Sequence, residues 1–209
     1  MLTKNISCAI ILLLLFLLVR TTVRAESFSE VRLSGEGQKA YRTLLIAQRF
    51  EDVAIGYGTV RSKLVESYYV LLNEPAADAT FKNLLEEATL PGQLYALCGL
   101  YFTDQNFFHS AAEKYRHSEE KVDTLFGCIG GLMPVSTLVE SKKPIKINPV
   151  HPEQSLRAHI ETNTRELIEW NNRKKKRKGD KEPEGYQLDI LNGGYSVWFR
   201  SAGERYPRS

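Results

Sequence analysis

A ten-residue segment near the middle of the chain is apolar on every side of a helix, and it restricts the fold more than any other feature. Gln93–Phe102 reads QLYALCGLYF and contains no charged residue. A surface helix has one polar face, whereas a helix without one is buried. The segment therefore predicts a central buried helix, with Cys98 inside it, against which the neighbouring segments pack.

Apolar residues recur at spacings of three and four on both sides of this segment, as on the buried face of an amphipathic helix. The sets are Tyr41, Leu44, Leu45 and Gln48; Leu64, Val65, Tyr68, Leu71 and Leu72; Ala77, Phe81, Leu84, Leu85 and Ala88; and Phe107, Phe108, Ala111, Ala112 and Tyr115. Asp104 is placed to cap the last of these helices. Phe50–Thr59 contains Gly56 and Gly58, which predicts a loop or a short extended piece.

Two later segments carry different signals. Thr124–Val139 is apolar but is interrupted by glycines and Pro134, which predicts a buried loop or short strand before a small helix. A longer helix is predicted over Pro152–Asn172. Its apolar face comprises Leu156, Ile160, Leu167 and Trp170, with His159 and Asn163 among them.

The C-terminal segment has the pattern of a β-hairpin. A turn at Asn192 and Gly193 places three apolar pairs on one face, namely Ile190 with Tyr195, Leu188 with Val197 and Tyr186 with Phe199. We therefore predict a mainly α fold of stacked short helices with a small C-terminal hairpin. The expected units are a signal peptide (1–25), a helical core (26–141), a linker and long helix (142–172), a basic and polar linker (173–185) and the hairpin with its tail (186–209).

The N-terminus has the features of a cleavable secretory signal peptide. Lys4 precedes an unbroken apolar run, Ala9–Val19, and small or modest residues stand before a cut between Ala25 and Glu26. The run is about half of the roughly 20 residues that cross a bilayer as a helix, which disfavours an uncleaved anchor. Cys8 lies upstream of the run, which disfavours a lipoprotein. The expected location is the periplasm or the exterior of the cell.

Removal of the leader balances the charge. The whole chain has 28 Lys and Arg against 25 Asp and Glu, and Lys4, Arg20 and Arg24 leave with the leader, so that each count becomes 25. A globally basic protein that seeks nucleic acid is therefore not expected. A hydrophobic content of 43% indicates a globular class rather than a disordered one.

Two cysteines remain after cleavage, Cys98 and Cys128. Disulfides persist outside the cytoplasm, and the chain entropy of such a loop corresponds to roughly 3–4 kcal/mol of stability. The alternative is two buried free thiols, since cysteine is among the most buried residue types. The sequence leaves both interpretations open.

No set of residues has the pattern of a known catalytic site. His109, Glu113 and His117 have the helical spacing of a zinc site but lie away from the apolar stripe, which favours solvated polar residues. His159 near Asn163 suits a hydrogen-bonded core histidine better than a ligand or base. No serine has the nucleophile-elbow context and no glycine loop has the phosphate-binding pattern. No cofactor or metal is expected.

Two C-terminal features suggest contact with a partner. A basic run suits anionic lipid head groups or another polyanion, although the acidic residues after it favour a solvated linker. The run comprises Arg173, Lys174, Lys175, Lys176, Arg177 and Lys178. Trp198 and Phe199 lie in a segment rich in aromatic residues and arginine, which suits either a partner surface or packing against the core.

Part of the chain resembles a set of uncharacterised bacterial secreted proteins. Pro91–Asp104 (PGQLYALCGLYFTD) resembles their GxLYALxGL segment, and Phe126–Gly131 (FGCIGG) resembles a later GC element. The resemblance covers Ala79–Val139 and implies a bacterial envelope setting without an activity.

Two functions from different classes remain open. The first is a non-catalytic interaction or structural module of the bacterial envelope, which contacts another envelope protein or the membrane surface. The alternative is a hydrolase-type enzyme whose site is assembled from dispersed residues. The oligomeric state is open in both cases.

We expect the exported protein to begin at Glu26, which N-terminal sequencing and intact mass would measure. Ala25→Tyr places a bulky ring directly before the cut and should leave the leader attached. Ser27→Ala, on the other side of the cut, should be processed normally. Recovery of protein that still carries Met1 from the cytosol would contradict the export prediction.

Overall fold

The structure is a computed structural model that describes residues 32–56, 60–172 and 187–205. Its helices are α1 (Gly35–Leu45), α2 (Lys63–Leu72), α3 (Ala77–Glu87), α4 (Leu90–Thr103), α5 (Gln105–Glu113), α6 (Val135–Val139), α7 (Pro152–Asn172) and α8 (Gly194–Arg205). Its strands are β1 (Phe50–Ile55), β2 (Val60–Arg61), β3 (Lys121–Gly127) and β4 (Ile129–Pro134). The predicted leader and the basic run Arg173–Lys178 lie outside the described residues.

A four-stranded mixed sheet in the order β2-β1-β3-β4 makes the predicted mainly α fold wrong. β1 pairs antiparallel with β2 and parallel with β3, and β3 pairs antiparallel with β4. The central pairing joins Phe50 to Thr124, across four helices. The strands are short, and the pairing of β1 with β3, which joins the two hairpin-like halves of the sheet, connects segments far apart in sequence, so a local pattern that predicts a loop becomes part of a sheet.

Helix α4 is the central buried helix, as the sequence predicts. Its residues from Pro91 to Leu100 are buried except for the half-buried Gln93. Pro91 lies in the first turn, where its missing N–H costs no hydrogen bond. Helices α1, α2, α3, α5 and α7 also lie in segments for which the sequence predicts helices.

Aromatic rings fill the space between β1, α4 and α8. The ring centroid of Phe50 lies 4.8 Å from that of Tyr95 and 5.6 Å from that of Phe199. Phe199 also lies 5.8 Å from Tyr68, and all four side chains are fully buried. Edge-to-face and tilted pairs at these distances add about 0.5–1.5 kcal/mol each beyond the burial of their area.

A polar contact joins the same strand to the same central helix. The Tyr95 hydroxyl accepts a hydrogen bond from the Glu51 N–H at 2.9 Å and donates one to the Glu51 carbonyl at 3.2 Å. The register of β1 against β3 shifts after Glu51, so its backbone groups need partners outside the ladder. The Tyr95 hydroxyl supplies a hydrogen-bond partner for both the N–H and the carbonyl of Glu51, so the irregular strand can lie in the core.

The predicted C-terminal hairpin is wrong, because Gly194–Arg205 forms helix α8. Tyr195, Phe199 and Ala202 lie on one helical face against the main core, whereas Val197 packs in a second cluster with Leu156 and Ile145. Because α8 is buried on two sides, Tyr195, Val197 and Phe199 are apolar at every second position. The same alternation is typical of a β-strand, which is why the sequence pattern predicts a hairpin here. The turn before α8 contains Gly193, whose φ of 77° lies in the left-handed region.

A buried carboxylate fixes the start of α8. Asp189 accepts hydrogen bonds from the Ser141 N–H at 3.1 Å, the Asn192 N–H at 3.0 Å and the Asn192 side-chain amide at 2.8 Å. Burial of this group raises the pKa of Asp189 above its ordinary value. The contacts connect the segment after α6 to the turn that begins α8.

Within the described ranges, none of the helices combines the length and the apolar character needed to cross a membrane.

Both cysteines of the candidate disulfide are free thiols in the structure. Cys98 is fully buried in α4, whereas Cys128 is exposed in the turn between β3 and β4. Burial raises the pKa of the Cys98 thiol far above its ordinary value. The candidate Cys98–Cys128 bridge is therefore not present in the structure, and of the alternative, two buried free thiols, only Cys98 is buried.

We expect the folded chain that begins at Glu26 to have one thiol that reacts with 5,5′-dithiobis(2-nitrobenzoic acid), and two after denaturation without reductant. Cys128→Ser should abolish the fast native reaction, whereas Cys98→Ser should retain it, because only an accessible thiolate reacts. The absence of reactive thiols after denaturation would establish the bridge instead.

We expect Phe199→Ala to lower the free energy of unfolding by about 3–5 kcal/mol, because it leaves a cavity among four rings. Urea denaturation monitored by circular dichroism would measure the change. Ile168→Ala is the matched control, since Ile168 is 54% exposed and surface changes stay within about 0.5 kcal/mol. A cost below about 1 kcal/mol for Phe199→Ala would contradict the position of α8 in the core.

Candidate functional site

A cavity of about 400 Å³ opens between α1, β1, the end of β2, α2 and the end of α8. We call it the acidic cavity. Its apolar lining is formed by Val53, Val65, Val70 and Ala202, and its charged residues are Glu36, Glu66, Glu74, Glu204 and Arg61. A volume in this range suits a small organic group.

Helix α2 supplies one wall of the acidic cavity through a stripe beside its core face. Val65, Tyr68 and Leu71 are the buried residues of the helix. The neighbouring stripe, Glu66, Tyr69, Val70 and Asn73, recurs at spacings of three and four and lines the cavity. The same helical period thus produces a core face and, next to it, a face that carries the site.

Ser62 fixes the start of that wall. Its hydroxyl accepts hydrogen bonds from the Leu64 N–H at 3.2 Å and the Val65 N–H at 3.3 Å, as an N-cap does. The same hydroxyl donates to the Glu51 carboxylate at 2.6 Å. Because Glu51 lies in β1, the cap holds α2 against the sheet at the floor of the cavity.

The last turn of α8 approaches α2 through a glycine. A Cβ at Gly203 would lie 2.0 Å from the Tyr69 ring, closer than any real contact. A side chain here would push the helix away from α2. The absence of one leaves room for the Tyr69 ring, and Tyr69, Ala202 and Gly203 all line the cavity.

Glu74 lies on the opposite rim, where Ser34 holds its carboxylate. The Ser34 N–H donates to the Glu74 carboxylate at 3.1 Å, and the Ser34 hydroxyl donates to the same carboxylate. That hydroxyl also accepts from the Gly37 N–H at 2.9 Å and so caps α1. These bonds place Glu36, in the first turn of α1, on the same rim as Glu74.

The charged lining of the acidic cavity consists of four carboxylates and one guanidinium group. Arg61 lies 3.6 Å from Glu66, and both side chains are more than 40% exposed. An exposed pair of this kind contributes about 0.2–1 kcal/mol, so a ligand cation can compete for the carboxylate. The lining therefore contains more carboxylates than guanidinium groups beside an apolar floor, and one of these carboxylates, Glu204, is paired with Arg200 at 3.1 Å.

The acidic residues do not form a metal site. In the part of the chain that the structure describes, no three His, Cys, Asp or Glu side chains are close enough together to share one metal ion. Carboxylates spread around an apolar floor match a monovalent organic cation better than a metal, which needs several oxygen ligands at about 2.0–2.6 Å.

Two further cavities lie against the last two turns of α8. The first, the α7 cavity, has a volume of about 550 Å³ and is lined by Glu153, Leu156, Arg157, Ile160 and Glu161 of α7 and by Trp198, Ser201 and Glu204 of α8. The second, the bridging cleft, has a volume of about 280 Å³ and contains Tyr69, Asn73, Phe102, Thr103, Arg200 and Glu204. Arg200 lies 3.1 Å from Glu204 and 5.0 Å from the centre of the Phe102 ring.

The histidines singled out from the sequence do not come together. Helix α5 ends at Glu113, so His117 is not on a helical face with His109. Glu113 accepts a hydrogen bond from Arg116 at 2.9 Å. His109 and His117 are both exposed, as solvated polar residues are.

The apolar face predicted for the long helix is only partly correct. Leu156 is buried and Ile160 half-buried, but His159 is exposed to solvent. Asn163 is instead the buried polar residue of this helix, at 8% exposure. His159 is therefore not the core histidine that the sequence suggests.

The two aromatic residues of the predicted partner surface have separate roles. Phe199 is fully buried in the core, so it does not contribute to a surface. Trp198 is half-buried, lines the α7 cavity and donates from Nε1 to the Asp52 carboxylate at 2.6 Å. Core packing, one of the two interpretations that the sequence leaves open, therefore holds for Phe199, whereas Trp198 lies at the α7 cavity.

The residues of the acidic cavity were not found from the sequence. The one local signal is the stripe Glu66, Tyr69, Val70 and Asn73 next to the core stripe of α2. No family model matches the chain, and neither the comparison with curated proteins nor the comparison with solved structures gives a match. The argument about function therefore rests on the site itself.

Proposed function

We propose that this protein is a non-catalytic binding protein of the bacterial envelope, which holds a cationic group on an aliphatic stem in the acidic cavity. The observation that carries the proposal is the excess of carboxylates around an apolar floor of Val53, Val65 and Val70. A lysine-type side chain has the matching chemistry, because its stem is apolar and its end is charged.

The expected affinity for one such group is low. Each buried methylene contributes about 0.8 kcal/mol, and a carboxylate near 4 Å in a site partly open to water contributes about 1–4 kcal/mol. Immobilisation of the ligand offsets much of this gain. A net binding free energy near −4 kcal/mol corresponds to a Kd of about 1 mM.

The setting follows from the N-terminal leader, which has the features of an export signal. A soluble protein outside the cytoplasm meets the side chains of other envelope proteins, among which lysine and arginine are exposed. Weak sites for such groups suit reversible contact with a partner protein, which agrees with a function as an interaction module.

We expect the chain that begins at Glu26 to bind Nα-acetyl-lysine methylamide with a Kd of about 1 mM at low salt. Added salt should weaken the binding, because it screens the carboxylates. Nuclear magnetic resonance titration would measure the affinity and would place the shifted amides on α2 and α8. Nα-acetyl-norleucine methylamide, which keeps an aliphatic stem but lacks the charge, is the matched control ligand and should bind at least fivefold more weakly, by loss of about 1 kcal/mol.

The variants that test the site are Glu66→Gln and Val70→Phe. The first removes one carboxylate and should weaken binding of the lysine amide about fivefold, while the second fills the floor and should abolish it. Glu119→Gln is the matched control, since Glu119 is exposed outside the cavity. Equal binding of the norleucine amide, or unchanged binding by Glu66→Gln, would refute the proposed function.

A further inference from the structure

We infer that a further cavity binds a small protonated amine that carries one apolar ring, and that it holds the amine between the Asp52 carboxylate and the Tyr195 hydroxyl. This cavity, which we call the Tyr195 cavity, has a volume of about 330 Å³ and lies between the sheet, α6 and the first turn of α8. It shares no described lining residue with the acidic cavity. The inference therefore goes beyond the proposed function and does not depend on it.

The Tyr195 hydroxyl is the observation that points to a ligand. The side chain is only 8% exposed and lines the cavity. Its hydroxyl has no hydrogen-bond partner among the residues that the structure describes. The hydroxyl is nevertheless open to the cavity, since it is not one of the fully enclosed polar atoms that lack a partner. A polar group in such surroundings is unfavourable without a partner, and a bound molecule can supply one.

Asp52 of β1 presents a second polar atom to the same cavity. Its Oδ1 accepts hydrogen bonds from the Val53 N–H at 2.7 Å and from Trp198 Nε1 at 2.6 Å. Its Oδ2 accepts no hydrogen bond from any described residue. The two bonds to Oδ1 fix the carboxylate, so that Oδ2 is left for a ligand.

The charge of the lining favours a cation. Burial raises the pKa of Tyr195 far above its ordinary value, and the nearby charge of Asp52 raises it further. The hydroxyl is therefore neutral, and Asp52 is the one charged residue among the described residues that line the cavity. A single carboxylate attracts a monovalent cation and repels an anion.

The remaining walls are aromatic and aliphatic. The rings of Phe126 and Tyr195 stack, with centroids 5.8 Å apart and an angle of 19° between their planes. Leu138 is buried and Met133 is half-buried, and both line the cavity. The face of an aromatic ring attracts an ammonium group, and the apolar part of the ligand can pack against the two aliphatic side chains.

These features select the class of ligand. The N–H groups of a protonated amine can donate to Oδ2 of Asp52 and to the Tyr195 oxygen at the same time. The volume is at the lower end of the range for ligand pockets, which limits the apolar part to about one ring.

The test uses the chain that begins at Glu26 and benzylamine as the probe, with affinities measured by nuclear magnetic resonance titration. We expect benzylamine to bind about fivefold more tightly than benzyl alcohol, which has a similar shape but no charge. Benzoate, which carries the opposite charge, should not bind. The shifted amides should lie on β3, β4 and α6 rather than on α2.

Two variants of nearly unchanged shape test the two polar groups. Asp52→Asn replaces the free oxygen by an amide nitrogen, while its other oxygen can still accept from Trp198, and should weaken benzylamine binding about fivefold. Tyr195→Phe removes only the hydroxyl and should weaken it about threefold. Because this hydroxyl has no described partner, Tyr195→Phe should not lower the urea midpoint, whereas the loss of a structural hydrogen bond would.

Val70→Phe is the matched control, because it fills the acidic cavity and leaves the lining of the Tyr195 cavity unchanged. It should alter benzylamine binding less than twofold. Circular dichroism would establish that each variant retains its helices.

The outcomes separate this inference from the proposed function. Absence of benzylamine binding, equal binding of benzyl alcohol, or unchanged binding by Tyr195→Phe would overturn the inference. Loss of benzylamine binding in Val70→Phe, with Asp52→Asn unaffected, would place the amine in the acidic cavity and would also overturn it, while the proposed function stands. Failure of the lysine amide to bind, with benzylamine bound as expected, would refute the proposed function alone.

Discussion

Contacts between rings that are distant in sequence hold this structure together. Phe50 of β1, Tyr95 of α4 and Phe199 of α8 meet within 5.6 Å of one another. Each belongs to a different part of the chain, and each is fully buried. The sheet, the central helix and the last helix therefore depend on one shared cluster, and removal of any ring leaves a void that the other two cannot fill.

The position of α8 follows from this cluster and decides where the cavities are. Phe199 and Ala202 face the main core, whereas Val197 faces Ile145 and Leu156. A helix held on both sides cannot move toward either neighbour without losing burial. Its last turn remains at the surface, and the acidic cavity, the bridging cleft and the α7 cavity lie around it.

The cavities explain why a binding function fits this chain without a catalytic motif. Recognition of a cationic stem needs an apolar floor and carboxylates at its edge, and several helices and a strand supply these without any special spacing in sequence. Individual contacts of this kind are weak in water.

The amount of the fold that follows from sequence depends on how local the deciding interaction is. The period of Val65, Tyr68 and Leu71 predicts α2, and the uniformly apolar Gln93–Phe102 predicts the buried α4, because a helix forms its hydrogen bonds within its own segment. A strand needs a partner elsewhere. β1 pairs with β3, and four helices lie between them in sequence. The local sequence of Phe50–Ile55 and around Thr124 therefore does not distinguish a strand from a loop.

The sequence by itself determined the helical periods, the buried central helix and the balanced charge of the chain after its expected cleavage, since these depend on residue order and composition alone. Only the tertiary structure decided that Tyr195, Val197 and Phe199 lie on a helix. Their alternation arises from burial against two separate clusters, which residue order cannot distinguish from a strand. The tertiary structure also decided the acidic cavity, because Glu36, Glu66 and Glu204 line one cavity only when α1, α2 and α8 pack together.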